Sequence, residues 1–420
     1  MKKLLWLGLF VIVLLLTACS SNEETDGDGK VTLDFWVFGS AGYENLAEQY
    51  MKENPDVKIN VNFTEMNDLH NNLFTSISAG SGAPDLTMIE ISQIAKFLEA
   101  SDKFYNLYDY GASEVKDLYL DWKWKLAESV DGKFLLGLPT DIGPTAMFYR
   151  VDVFEEAGLP TDPEEVAELI STWEDYYEVA KIIKEKTGKL MSDSPELVFN
   201  SLRDQAPEQY FNENDELIIE TSPYVKEAYD FATKMIQEGY VGQNSLWTPE
   251  WGNAMAEGSY ATLLAPSWMV ANIKGNAPDA VGKWAVTNMP EGAGNWGGSY
   301  IAIPKESKYP EEAYAFVKWL VSPENQYVSF INNGLFPSAP EVYEKEDFVN
   351  FSDEYFGGQN TAEVFAKAAE SVKPIYMGKN YAIVNTELVN ALINVATNGS
   401  DPQKEWDEAV ERIKSQLERQ

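Results

Sequence analysis

Residues 30–89 read KVTLDFWVFG SAGYENLAEQ YMKENPDVKI NVNFTEMNDL HNNLFTSISA GSGAPDLTMI, and the periodicities within them decide the fold. Val31, Leu33, Phe35 and Val37 alternate as one face of a strand, and Gly39, Ser40, Ala41 and Gly42 make a turn. A helix follows with Leu46, Ala47, Tyr50 and Met51 on one side, stopped by Asn54 and Pro55. Val57, Ile59, Val61 and Phe63 alternate again, Leu69, Leu73 and Ile77 recur at helical spacing, and residues 80–84 break the chain before a third strand at 85–89. Strands alternating with helices predict an α/β fold with a mainly parallel sheet. Ligands of such sheets lie beyond the carboxyl ends of the strands, so the loops after Val37, Phe63 and Ile89 are the first places to look for a site.

Upstream, Met1, Lys2 and Lys3 precede an apolar run at 4–16 and then Thr17, Ala18 and Cys19. That is a signal peptide, since about a dozen apolar residues fall short of the roughly 20 that span a bilayer as a helix. Residues 16–19, Leu-Thr-Ala-Cys, resemble the bacterial lipobox, in which the cysteine becomes the acylated N-terminus. Cys19 is the single cysteine of 420 residues and stands where lipidation needs it. The expectation is an exported protein with a leader at 1–18, held to the outer face of the cell membrane by acyl chains worth about 0.8 kcal/mol per buried CH₂. Residues 19–29 form a polar tether whose reach, roughly 5–6 Å × √n, stays below about 20 Å. No disulfide can form within the chain, so stability comes from burial alone.

The formal charge of −35 becomes −37 once Lys2 and Lys3 leave with the leader. Nucleic acid is excluded as a partner, and the acidic exterior keeps the chain soluble and, as expected here, monomeric. The single histidine, His70, removes histidine metal clusters and His-based triads, and it reads as a helix surface residue. No metal and no cofactor is expected. Twelve Trp and 22 Tyr exceed what packing alone demands, so some rings face a ligand.

After the leader and tether, about 390 residues are too many for one core, and two lobes are expected. Pro139, Gly143 and Pro144 lie between two strand-like runs and read as a crossing between lobes, and residues 296–300, Trp-Gly-Gly-Ser-Tyr, read as a second, leading into a strand at 301–304. The expected N-terminal lobe holds residues 30–138 with 294–335, and the C-terminal lobe 142–290 with 337–420. Helices are expected at 225–237, from Glu311, from Ser322-Pro323 to Asn333-Gly334, and after residues 400–402.

Four segments resemble the extracellular solute-binding proteins of ABC importers, in the sugar and oligosaccharide branch. They are Leu33-Asp34-Phe35-Trp36; residues 131–133 with 138–139 and 147–160; residues 255–258 with Pro266-Ser267-Trp268; and residues 303–308 with 311–324. The resemblance covers nearly all of the mature chain. It implies a two-lobed Venus-flytrap fold that closes on a mono- or oligosaccharide by hinge bending and hands it to a membrane permease, without chemistry on the ligand. Sugar binding calls for flat rings against pyranose C–H faces and for carboxylates and amides on paired hydroxyls.

On that basis Tyr43, in the loop after the first strand, either stacks on a sugar or packs at the helix start. Trp36 lies on the face opposite Val31, Leu33 and Phe35, which favours packing. Glu65 and Asn67 follow the second strand and Glu90 the third, where carboxylates and amides reach hydroxyls. Asp141 lies in the crossing. Trp247 and Trp251 read as loop aromatics, and Trp268 occupies the family's Ser-Trp position. Trp296 and Gly297 set an aromatic ring beside bare backbone, with Tyr300 next; Tyr376 and Tyr381 lie in an aromatic loop before a helix at Glu387. Asp85 and Asp109 read as structural. Two rival classes remain open: a secreted glycan-active enzyme with a carboxylate pair, and the same fold carrying a peptide or polyamine.

Overall fold

The computed structural model describes residues 30–39, 41–373 and 375–419; the leader, Cys19 and the tether lie outside them. Among the described residues ten strands run in chain order: β1 (Val31–Val37), β2 (Val57–Phe63), β3 (Leu86–Glu90), β4 (Gly137–Pro139), β5 (Asp141–Ile142), β6 (Thr145–Arg150), β7 (Thr262–Pro266), β8 (Trp284–Thr287), β9 (Ser299–Ala302) and β10 (Phe336–Pro337). The first lobe is built on a five-stranded sheet in the order β2-β1-β3-β9-β4, and the second on a three-stranded sheet in the order β7-β6-β8. The fold is the two-domain α/β periplasmic-binding-protein type.

The alternation read from 30–89 places the core. Leu33, Phe35 and Val37 are buried on one face of β1, while Trp36 packs against the core from the other side and stays partly exposed. Leu69, Leu73 and Ile77 are buried along the helix Met66–Ala79. The sheet is less parallel than alternation alone predicts. β1 pairs in parallel with β2 and β3, but β9 runs antiparallel to both β3 and β4, and the whole second sheet is antiparallel. The reason lies in connectivity: β9 enters the first sheet on a return from the second lobe, so no crossover helix fixes its direction. It also spans 299–302 where the sequence places a strand at 301–304. In the second lobe β6 is buried on both faces, with Ala146 and Phe148 in one cluster and Met147 and Tyr149 in the other.

Among the described residues the chain passes between the lobes three times, and the passes lie side by side. In the first two, the Thr140 N–H donates to Ser299 O at 3.0 Å, the Trp296 N–H to Gly143 O at 2.8 Å and the Thr145 N–H to Gly294 O at 3.0 Å. In the third, β10 pairs antiparallel with β5, Pro337 opposite Asp141. A Cβ on Gly143 would sit 1.8 Å from the Trp296 carbonyl oxygen, so this close approach requires glycine. The lobes also meet away from the passes, where the turn Ile91–Gln93 touches the helix Tyr381–Asn398.

Candidate functional site

The first lobe delivers a charged group to the crossing. Glu90 ends β3, and its Oε2 accepts from the Ser92 N–H at 2.8 Å and from the Ser92 hydroxyl. Asp141, in β5, accepts on Oδ1 from the Thr140 hydroxyl at 2.7 Å and from the Ser299 N–H at 3.1 Å. Between them stands Lys123, on the helix Asp121–Leu126, fully buried and with Nζ 3.9 Å from the Tyr300 ring centroid. Among the described residues Nζ has no hydrogen-bond partner. Burial pushes the Lys123 ammonium down to about 7, against the pull of Asp141 and Glu90, and burial pushes both carboxyls up, against Lys123 and their hydrogen bonds. Tyr300 is fixed by donating its hydroxyl to Lys123 O at 2.7 Å. Gly298 closes the group: at φ 97° its missing Cβ leaves room that would otherwise place an atom 2.9 Å from Lys123 Nζ and 2.6 Å from Asp141 O.

The single histidine is part of this arrangement and is not the surface residue its helix suggests. His70 is 3% exposed, packed against Phe38 and Phe97, and its Nε2 accepts from the Glu90 N–H at 3.1 Å. Burial lowers it to about 4, partly offset by a hydrogen bond to Met66 and reinforced by Lys96. Between pH 4 and 6.5 the unfolded chain binds the imidazole proton and the native one does not, so stability falls as pH drops through that window, by about 3 kcal/mol in all. Urea denaturation at pH 7, 5.5 and 4.5 should therefore show His70→Gln with a flatter acid loss than the parent chain.

Across the Trp296-Gly297-Gly298 segment the second lobe presents indoles. Trp268, at the start of the helix Met269–Asn276, donates from Nε1 to Trp296 O at 3.3 Å and meets the Trp296 ring edge-on at 5.1 Å. Trp247 stacks on Trp268 at 6.0 Å and 29° and is 56% exposed, an outward apolar face rare for so large a ring. Its backbone is left-handed, with φ 68°, which costs a non-glycine residue of order 1 kcal/mol. Trp251 packs edge-on beneath Trp247 at 5.3 Å. It is no loop aromatic: it is buried in the helix Pro249–Glu257, which the Thr248 hydroxyl starts by accepting from the Trp251 N–H.

A second buried polar group faces Glu90 from the helix Pro195–Gln205. Arg203 pairs with Asp204 Oδ1 at 2.7 Å and donates to the Tyr210 hydroxyl at 2.8 Å and to Asn385 Oδ1 at 2.6 Å. Its guanidinium lies 5.5 Å from the Tyr381 ring, and both Glu90 and Asp204 help raise the Tyr381 hydroxyl, which burial raises most. Tyr381 is the first residue of the helix Tyr381–Asn398, which begins six residues before the Glu387 expected from sequence. Asn200 Oδ1 and Gln209 Oε1, both buried, have no partner among the described residues. Lys123, Arg203, Asp204, Asn200 and Asn385 did not stand out in the sequence. One signal was readable: the helix carrying Arg203 and Asp204 has Leu197, Val198 and Phe199 in succession, so no face is left for water and its charges must pair internally.

The structure thus gathers Glu90, Asp141, Trp247, Trp268, Trp296, Gly297, Tyr300 and Tyr381 around the crossings. A Cβ on Gly297 would lie 3.5 Å from Trp268 Nε1, so the indole edge sits over bare backbone here. Tyr43 is drawn inward, stacked on Phe35 at 6.0 Å and hydrogen-bonded to Thr140 beside Asp141, so only its hydroxyl end reaches the crossing. Glu65 and Asn67 are exposed at the start of the helix Met66–Ala79, outside this group. Tyr376 is half-buried and bonds to Asp215. Asp85 accepts from the Asp34 N–H and the Ser307 hydroxyl. Among the described residues no group of three or more His, Cys, Asp or Glu is placed to hold a metal ion.

The model of the bacterial extracellular solute-binding protein family matches residues 39–327. The chain belongs to that family. Among solved structures, this solute-binding protein is similar to an extracellular solute-binding protein of family 1, with a TM-score of 0.86, 32% identity, and 92% of this chain and 99% of the other covered. It is also similar to the ABC-transporter-associated binding protein of B. animalis subsp. lactis in complex with β-1,6-galactobiose, with a TM-score of 0.76, 27% identity, and 92% and 97% covered. Among curated proteins it is 27% identical, over 97% of each chain, to the arabinooligosaccharide-binding protein of Bacillus subtilis strain 168. Fold and family are those of extracellular binding proteins associated with ABC transport.

Proposed function

We propose that this protein binds a neutral oligosaccharide between its lobes and, by closing on it, delivers it to an ABC permease. The observation that carries this reading is the indole row Trp247, Trp268 and Trp296, set across the Gly297-Gly298 backbone from a buried polar group of carboxylates and an ammonium. Indoles offer flat apolar faces for pyranose or furanose rings; fixed carboxylates and buried amides with a free acceptor suit their hydroxyls. The relatives that bind arabinooligosaccharide and β-1,6-galactobiose support the same class. In this reading residues 30–138 with 294–335 and residues 142–290 with 337–420 move as two bodies about the three crossings, and the lobe-to-lobe contact of Ile91–Gln93 is that of the closed state. Closed, the cleft excludes water and strengthens each hydrogen bond inside it.

A thermal-shift panel tests it. Arabinooligosaccharides and β-1,6-galactobiose should raise the melting point where amines and peptides do not, since ligand at 100 times its Kd adds about 2.7 kcal/mol. A shift with amines alone overturns the substrate class, and steady release of reducing ends from an oligosaccharide overturns transport in favour of hydrolysis. The proposal includes the lipid on Cys19, which keeps the receptor near its permease. Cys19→Ser should leave saccharide binding intact in the soluble protein while lowering uptake by intact cells.

A further inference from the structure

At the rim an ion pair joins the two lobes, and none of the ligand-facing residues uses it. Lys379 Nζ donates to Glu99 Oε1 at 2.8 Å, and Glu99 closes the helix Ile94–Glu99 of the first lobe. Lys379 itself is anchored to the second lobe. Its backbone N–H donates to Asp215 Oδ1 at 3.2 Å, and a Cβ on the preceding Gly378 would fall 2.6 Å from the Phe211 ring. Asp215 therefore offers a second carboxylate to the same ammonium, with Oδ2 at 4.0 Å, and is steadied by the Tyr376 hydroxyl. Lys379, Glu99 and Asp215 keep 38%, 55% and 23% of their side-chain surface.

We propose that Lys379 tunes ligand affinity from outside the ligand site, exchanging Asp215 on its own lobe for Glu99 on the opposite lobe as the cleft closes. The inference rests on the hinge closure proposed above. Its logic is that the cation is never left alone. With the lobes apart, Glu99 moves out of reach and the ammonium falls back on Asp215, which travels with it; with the lobes together it takes the nearer oxygen of Glu99. Closure therefore swaps one carboxylate for another instead of desolvating a free charge. The two carboxylates compete, and their removal must have opposite effects on a ligand that binds the closed form.

The test uses the mature chain with Cys19 replaced by Ser and with Val130→Cys and Lys404→Cys as dye sites, one exposed on each lobe. Single-molecule energy transfer reads the open and closed populations without ligand, and calorimetry with the best saccharide of the panel reads Kd. Glu99→Gln should move the free protein toward open and weaken binding about two- to fivefold, the range of exposed ion pairs. Asp215→Asn, which keeps an oxygen for the Lys379 N–H, should move it toward closed and tighten binding by up to a similar factor. In a Lys379→Met background both effects should vanish, and raising NaCl from about 20 mM to about 1 M should erase the difference between Glu99→Gln and the parent. Shifts of the same sign for the two carboxylate variants, a Glu99 effect surviving in Lys379→Met, or populations unmoved by all three would overturn the exchange. If no saccharide binds yet the populations move as stated, the ligand reading falls and the exchange stands.

Discussion

Trp268→Ala weakens saccharide binding about 30- to 1000-fold, the expected result with the largest effect on function. Trp268 is the centre of the indole row: Trp247 stacks on one face, Trp296 meets its edge, and its Nε1 holds the Trp296 carbonyl. Truncation removes the flat surface and also frees Trp247 and the Trp296-Gly297-Gly298 crossing that it orders. Aromatic anchors of this kind cost about 2–4 kcal/mol on truncation, with each 1.4 kcal/mol a factor of ten in Kd. Trp268 is partly exposed, so the variant folds, and its ligand-free melting point should drop by only a few degrees. Trp268→Phe keeps a ring and should recover most of the loss. Calorimetry decides: a Kd for the alanine variant within threefold of the parent removes Trp268 from the site.

Lys123→Ala destabilises the fold by about 3–5 kcal/mol at pH 7, the largest expected effect on stability. The substitution leaves Glu90 and Asp141 buried without the ammonium that offsets their burial, and losing one partner of a buried charge group costs far more than the group contributes as a whole. For that reason a triple change, Lys123→Met with Glu90→Gln and Asp141→Asn, should restore much of the stability. The pH profile carries a second signature. Lys123 is held at about 7 in the folded protein against 10.5 when free, so between those values the unfolded chain binds a proton that the native chain does not. Stability attributable to Lys123 therefore rises with pH from about 7 to about 10. Glu90 and Asp141, both raised, act in the opposite sense, taking up protons in the native state and losing stability as pH climbs above the ordinary carboxylate range. Lys123→Met should lose the alkaline rise and steepen the carboxylate decline; denaturation curves from pH 4.5 to 9.5 that run parallel to the parent would refute this account.

These two residues mark how far sequence reading reaches. Trp268 was picked out because it stands at the Ser-Trp position of the family that the chain resembles, and the structure sets it just after β7 in the indole row. Lys123 was not. In Trp122-Lys123-Trp124-Lys125 it looks like one of two ordinary surface lysines, yet Lys125 is exposed in an ion pair with Asp121 while Lys123 is buried. What separates them is the Tyr300 ring that covers Lys123, 177 residues away in the chain. His70 failed in the same way. Its helix is half exposed, and the ring is buried only because the end of β3 arrives over it with an N–H in need of an acceptor.

By itself, the sequence determined the strands and helices of residues 31–89, the glycines of the crossings and the two-lobed plan. Those follow from periods of two and 3.6 residues and from backbone geometries that only glycine tolerates, all of them properties of a few neighbouring positions. The tertiary structure alone decided which charges are buried, that Arg203 and Lys123 stand on either side of Glu90 and Tyr381, and that Lys379 reaches Glu99. Burial and charge pairing depend on the distance between segments hundreds of residues apart. No local pattern encodes that distance until three strands cross between the lobes and bring the segments together.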